Sequence, residues 1–321
     1  MICQVFGRVI LVLSLSVVFP LCAQAASNND GLAFQVALDR AGFSPGVIDG
    51  TMGRLTQDAI KGFQEAHGVP VTGDADDATK AALMVPSAPT ETVQVTDAGP
   101  FQSSIPKDPD QQAKLDKLGY TSVEEALAER YHTTPAMLRT LNPNANFAVG
   151  DQITVPAITA VDPGTGEDAW DATLEKLGVA KNQPVAAKVV VDKSDKNVKV
   201  FDGDGKLVAM FPATIGSQHD PLPLGTWKIR GVSKLPSFHY NPALFWDAKA
   251  KQGKATLPPG PNSPVGVVWI DLSKEHYGIH GTPEPAMIGR STSHGCIRLT
   301  NWDAAKLAQM VHPGTPAILQ E

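Results

Sequence analysis

Cysteine is scarce in this chain: there are three in 321 residues, and two of them, Cys3 and Cys22, fall within the first 25. A disulfide framework is therefore excluded, and Cys296 stands alone once that leading segment is removed. Positive charge is in deficit as well, with 27 Lys and Arg against 33 Asp and Glu for a net charge of −6. The chain thus lacks the basic field that nucleic-acid binding requires. Aromatic residues make up only 6%. After the N-terminus no apolar run reaches the roughly 20 residues needed to span a membrane. What is present, 42% hydrophobic and 19% charged residues, suffices to build cores and excludes wholesale disorder. At roughly 150 residues per domain, the length suggests about two domains or three smaller modules.

Residues 1–25 read as an export signal. Arg8 supplies the positive start, Val9 to Phe19 the apolar run, and Ala23-Gln24-Ala25 a small-x-small cleavage site. A lipid anchor on Cys22 is the rival reading, opposed by the bulky Phe19-Pro20-Leu21 before it. Cleavage removes Arg8 and leaves a net charge of −7. The mature protein is then expected in the periplasm or cell wall with no integral membrane segment. An unpaired thiol retained in an oxidising compartment is either buried and inert or a reactive nucleophile.

Residues 28–85 carry three helical patterns around glycine-rich turns. Leu32, Val36 and Leu38 mark the first; Ala59, Ile60 and Phe63, behind Thr56 as N-cap, mark the second; Asp77 to Leu83 forms the third. The predicted unit is a small all-α bundle. Its wording, Gly42-Phe43, Gly46, Ile48-Asp49-Gly50, Gly53, Phe63-Gln64 and Val71-Thr72-Gly73, resembles the peptidoglycan-binding domain type 1 of exported wall enzymes. Residues 86–111 are rich in Pro, Ser, Thr and Asp and read as a linker with one short extended piece at Thr92 to Val95. In residues 112–158, Ser122 and Glu125 form a capping box, Pro135 opens a second helix to Leu141, and Val149 to Pro156 turns into a strand. This α+β module resembles a LysM carbohydrate-binding repeat. Residues 159–186 read as a second linker.

From 187 to 321 the period changes to that of strands, at Lys188 to Val191, Val198 to Phe201, Leu207 to Ile215, Gly225 to Ile229 and Val265 to Leu272. A proline-rich irregular segment, Ser233 to Pro264, interrupts them, as a lid or groove wall would. One helix is expected, at Trp302 to Val311. The fold class is thus multidomain, ending in a mostly β domain.

Two stretches of this domain carry chemistry: Ile279-His280-Gly281-Thr282 and Ser293-His294-Gly295-Cys296-Ile297-Arg298-Leu299. A lone thiol with a histidine sixteen residues before it and another two before it is the set for nucleophilic acyl transfer. A free thiol is only a few per cent thiolate at neutral pH, so an imidazole must take its proton or stabilise the anion. His280 is the expected base. His294 stays open as the second candidate, because an extended 293–297 would place residues 294 and 296 on one face. The amides of Gly295 and Cys296 could form an oxyanion hole worth roughly 3 kcal/mol per donor. Ser293 is expected to hydrogen-bond locally. Arg298 divides between gripping a carboxylate of the substrate and pairing with a structural acid. A metal shared by His276 and His280 is disfavoured, since four residues of strand span about 13 Å and one zinc ligated at about 2 Å cannot bridge them.

The histidine-glycine pair followed by Ser-x-Gly-Cys-hydrophobic-Arg is similar to the signature of the L,D-transpeptidase catalytic domain, the YkuD-like fold. Thr214-Ile215-Gly216, Pro223 to Thr226 and Pro261 to Gly266 resemble its supporting segments. The resemblance implies Cys296 as nucleophile, His280 as proton donor and acceptor, the Gly281 region as orienting the imidazole, and Arg298 as holding the site or substrate. It also implies no cofactor, peptidoglycan peptide stems and glycan as partners, a lipoprotein or a D-amino acid as further acceptors, and acylation of Cys296 by carbapenems. Hydrolysis of the same bonds, as an L,D-carboxypeptidase or endopeptidase, and a non-catalytic wall-binding role are the alternatives.

Overall fold

The computed structural model describes residues 22–97, 99–158, 168–246, 248 and 253–321, with residues 22–29 as backbone alone. The export-signal reading falls on residues 1–21 and the side chains that follow them, which lie outside the described residues. Among the described residues no helix is long and apolar enough to cross a membrane.

Three helices form the first unit: α1 (Cys22–Arg40), α2 (Arg54–His67) and α3 (Asp77–Leu83). The expected apolar positions are buried, from Leu32 to Leu38 on α1 and Ala59, Ile60 and Phe63 on α2. Thr56 does not cap α2, which starts two residues earlier behind Gly53. Its buried hydroxyl donates to the Thr51 carbonyl at 3.1 Å and accepts from Gln35 Nε2 at 3.2 Å. It serves the preceding loop, an alternative that a local pattern does not separate from a cap. Two buried glutamines fix the turns. Gln35 Oε1 accepts from the amides of Asp49 and Gly50, and Gln64 Oε1 from those of Thr72 and Gly73.

The second unit begins inside the stretch expected as a linker. Strand β1 (Thr90–Gln94) pairs antiparallel with β2 (Gln152–Pro156), and between them lie α4 (Pro109–Gln112), α5 (Val123–Arg130) and α6 (Pro135–Leu141). Half of the expected capping box forms as drawn: Ser122 Oγ accepts from the Glu125 amide at 3.1 Å. The Glu125 carboxylate reaches the amide of Thr121 rather than that of Ser122. The second expected linker also carries a packed element, α7 (Ala169–Lys176), whose Trp170 and Leu174 belong to the core of the C-terminal domain. The extended piece expected at Thr92 to Val95 thus falls on β1, whereas α7, short and largely polar, was concealed by its composition.

The C-terminal domain is built on eight strands in the order β11-β10-β9-β6-β12-β3-β4-β5. These are β3 (Lys188–Asp192), β4 (Asn197–Phe201), β5 (Leu207–Pro212), β6 (Gly225–Lys234), β9 (Val268–Leu272), β10 (Gly278–His280), β11 (Ile297–Arg298) and β12 (Pro316–Gln320). The short hairpin of β7 (Phe238–Tyr240) and β8 (Ala255–Leu257) stands apart, within the proline-rich segment. The sheet is antiparallel except at β12/β3 and β10/β11. It curls until its two edges meet: just beyond β5, Thr214 exchanges both backbone hydrogen bonds with Arg298 on β11, each at 2.9 Å. Helix α8 (Asn301–Met310) packs against it with Trp302, Ala305 and Leu307 fully buried.

The three units share cores. Leu32, Val36 and Ile48 pack with Leu127, Tyr131 and Ile153 of the second unit, while Phe34, Leu38, Phe43 and Phe63 pack with Leu207 and Met210 of β5. The backbone of residues 42–44 bonds Met210, which covers the otherwise open edge of β5.

A buried ion network joins all three units. Asp39 Oδ1 accepts from Lys306 Nζ at 2.9 Å and lies 3.0 Å from His132 Nδ1, whose Nε2 donates to the Leu177 carbonyl at 2.8 Å. Burial alone would raise the Asp39 pKa, but His132 and Lys306 hold it well below the carboxylate range. The stability it contributes is present above the ordinary carboxylate pKa and is lost as pH falls below it. Asp39→Ala would strand Lys306 in the interior, and a loss of about 3–5 kcal/mol in urea melts at neutral pH is expected. A double Asp39→Leu, Lys306→Met variant should recover most of it.

Candidate active site

The last turns of the curled sheet bring the two motifs together. β10 reads Gly278-Ile279-His280, with all three residues buried, and runs antiparallel to β9 so that His280 sits opposite Trp269. On its other side β10 pairs in parallel with β11, Ile279 opposite Ile297 and His280 opposite Arg298. Cys296 directly precedes β11. Its neighbour Ile297 and the next residue, Arg298, are thus the ones that pair with the strand carrying His280.

His280 is fixed on two sides. Its ring stacks on the Trp269 indole, with centroids 5.4 Å apart and planes 17° from parallel. Its Nδ1 lies 2.7 Å from the Gly281 carbonyl. A carbonyl only accepts, so Nδ1 carries the hydrogen and Nε2 is left as the basic nitrogen. Burial, with Arg298 adding like charge, pulls the imidazole down to about 3 against the opposing pull of the Gly281 carbonyl. His280 is therefore neutral at physiological pH.

Cys296 is half-buried, and its Sγ lies 3.7 Å from the His276 carbonyl. Burial raises the thiol above its ordinary range, while the Gly278 amide and the Arg298 charge act the other way. With the thiol raised and the His280 imidazole lowered, burial favours the neutral form of each. The segment before the thiol is a turn and not extended: Gly295 has φ +97°, and an added Cβ there would lie 2.7 Å from the Tyr277 ring. The turn sends His294 outward to Phe245 and Trp246, at centroid distances of 5.1 and 6.0 Å. Ser293 is buried and donates from Oγ to the Cys296 carbonyl at 2.5 Å, a local bond that clamps the turn.

Three further residues shape the site that the motif reading did not assign to it. Trp269 covers Gly278, where an added Cβ would lie 2.5 Å from the indole, and backs His280. Tyr277 packs over Gly295; burial raises its phenol, as do Cys296 and Asp220. Asn301 fills the space beside Gly281. Trp269 lay in an alternating apolar run, where core packing is the default reading, and neither Tyr277 nor Asn301 carries a local pattern. His276 has φ +67° and an exposed side chain beside Glu275. Among the described residues no group of three or more His, Cys, Asp or Glu side chains is gathered to hold a metal.

Residues 186–319 match the L,D-transpeptidase catalytic domain family, YkuD, and residues 27–83 match the family described as "Putative peptidoglycan binding domain". The chain is 27% identical over 194 residues to the "Putative L,D-transpeptidase YkuD" of Bacillus licheniformis, which covers 60% of this chain and 89% of that protein. It is 30% identical over 189 residues to the "Putative L,D-transpeptidase in ATP synthase subunits region ORF 5" of Fuscovulum blasticum, which covers 56% of this chain and 97% of that one. Among solved structures it is similar to the L,D-transpeptidase from Mycobacterium smegmatis at 24% identity and a TM-score of 0.34, over 41% of this chain and 58% of that one. With its catalytic domain behind an N-terminal peptidoglycan-binding domain, the chain belongs to the L,D-transpeptidase family.

Proposed function

We propose that the protein is an exported L,D-transpeptidase that works through a thioester on Cys296. The observation that carries this reading is His280: a neutral imidazole anchored at Nδ1 on the Gly281 carbonyl, which leaves Nε2 as the basic nitrogen, on the strand that pairs with β11 directly after Cys296. Sγ attacks the carbonyl of the third residue of a tetrapeptide stem, in the amide to the terminal D-alanine, as Nε2 takes its proton. The amides of Gly295 and Cys296 receive the developing oxyanion. The proton then passes from Nε2 to the leaving nitrogen, D-alanine departs, and Sγ holds the acyl group. An incoming amine loses its proton to Nε2 and displaces the thiolate, which is reprotonated. An amine on a second stem yields a 3-3 cross-link, a free D-amino acid yields exchange, and a lipoprotein lysine yields anchoring.

The N-terminal bundle fits a wall-tethering role. The second unit pairs two antiparallel strands around three helices, of which α5 and α6 are the two expected ones, and this supports the LysM-like reading. An open depression of about 400 Å³, lined by Asn142, Asn144, Asn146, Asp151 and Gln152, would suit a glycan.

Incubation of the purified protein with disaccharide-tetrapeptides is expected to give cross-linked dimers with release of D-alanine, read by mass spectrometry. Tripeptide without dimer would identify a hydrolase, and unchanged tetrapeptide would refute catalysis.

A further inference from the structure

We propose that Asn301 is a positioning residue for His280, and that the second unit completes the catalytic domain by holding Asn301 through Glu129. The inference rests on the reading of His280 as the proton carrier.

Asn301 is the first residue of α8 and is fully buried, yet it does not cap the helix. That task falls to Thr300, whose Oγ1 accepts from the Asp303 amide at 3.1 Å. The Asn301 side chain points instead into a gap between two backbone segments. A Cβ added at Gly281 would lie 2.2 Å from Asn301 Oδ1, and one added at Gly266 would lie 2.0 Å from it. The amide oxygen thus occupies the place where Gly281 lacks a side chain. The Gly281 carbonyl is the partner of His280 Nδ1. Any rotation of the Gly281 peptide that swings this carbonyl away from the ring must move past Asn301.

The amide is locked in turn. Oδ1 accepts from the Val267 amide at 3.3 Å, and Nδ2 donates to the Pro261 carbonyl at 3.1 Å and to Glu129 Oε1 at 2.8 Å. Glu129 lies on α5 of the second unit, buried, with the Tyr120 hydroxyl 2.8 Å from its other oxygen. Burial pushes Glu129 up to about 8, so at neutral pH it is a protonated acid, the state a glutamine mimics. The same two segments are tied again nearby, where Asn262 Nδ2 reaches Glu125 Oε1 at 2.7 Å and the Gly119 carbonyl at 2.9 Å. The accessory unit therefore supports the histidine from behind.

The test compares full-length wild type, Glu129→Ala, Glu129→Gln and Asn301→Ala, with melting temperatures measured alongside. Steady-state turnover is combined with imidazole 15N NMR, the His280 signal being assigned by its loss in His280→Ala. We expect a fall of roughly 10- to 100-fold in kcat with little change in KM for Glu129→Ala and Asn301→Ala, the scale on which small misplacements act. The His280 nitrogen shifts should move from the Nδ1–H pattern toward a mixture, and Glu129→Gln should restore both readouts. An unmoved His280 signal overturns the inference whatever happens to kcat or stability, as does a Glu129→Gln variant that behaves like Glu129→Ala. A His280 signal that moves while turnover is kept supports the positioning and refutes instead the assignment of His280 as proton carrier.

Discussion

Cys296→Ala is expected to lose all measurable transpeptidation and, with it, any covalent adduct. Removing the nucleophile from a site that works as a unit costs on the order of 10⁶ in kcat. No neighbouring group can substitute, since Ser293 is spent on the Cys296 carbonyl and its turn is fixed by Gly295. The fold should not suffer, because the contacts of Sγ, a long 3.7 Å approach to the His276 carbonyl and a bond from the Gly278 amide, are the weak ones sulfur makes. Intact-protein mass spectrometry after treatment with a carbapenem or a tetrapeptide stem should show one added acyl mass on wild type and none on the variant, with circular dichroism unchanged. An adduct on the variant would place the nucleophile elsewhere. Because both partners rest neutral, acylation should be slower than at a preformed thiolate and should quicken as pH rises toward the elevated thiol pKa.

The parts of this molecule legible in its sequence are those whose signals are local. The spacing of Ala59, Ile60 and Phe63 defines the buried face of α2, and Pro135 marks the start of α6 because proline suits a first helical turn. The two motifs around His280 and Cys296 are short-range patterns as well, although the strands β10 and β11 that join them are too short to show in the sequence. What stayed hidden depends on distant partners. The extended piece expected at Thr92 to Val95 was visible as β1, but its pairing was not, since β2 lies some sixty residues later. Asn301 is an ordinary helix-start residue until Glu129, 172 positions away, reaches its amide. His294, the second candidate for the base, is turned by the positive φ at Gly295 to the aromatic pair of the proline-rich segment.

His280→Gln should show two effects of opposite sign. Turnover is expected to fall about 10²- to 10⁴-fold, the usual worth of a positioned general acid-base group. Acid tolerance should rise. The wild-type imidazole, down at about 3 in the folded protein, regains its ordinary value near 6.5 on unfolding. Between those values the unfolded chain holds a proton that the folded one refuses, so stability falls as pH drops through this window. Integrated over it, the loss approaches roughly 5 kcal/mol if the site stays dry. Glutamine has no proton to gain, so the variant's free energy of unfolding, taken from urea melts at pH 7 and pH 4, should change less with pH than that of wild type. Equal slopes would mean that His280 is not held neutral by burial and Arg298. Carrying a buried base of such low basicity at a stability cost makes physical sense only if it is needed as neutral imidazole. A ring already protonated could not take the Sγ proton, whereas a neutral one can accept it at the moment of attack and release it readily to the departing amine.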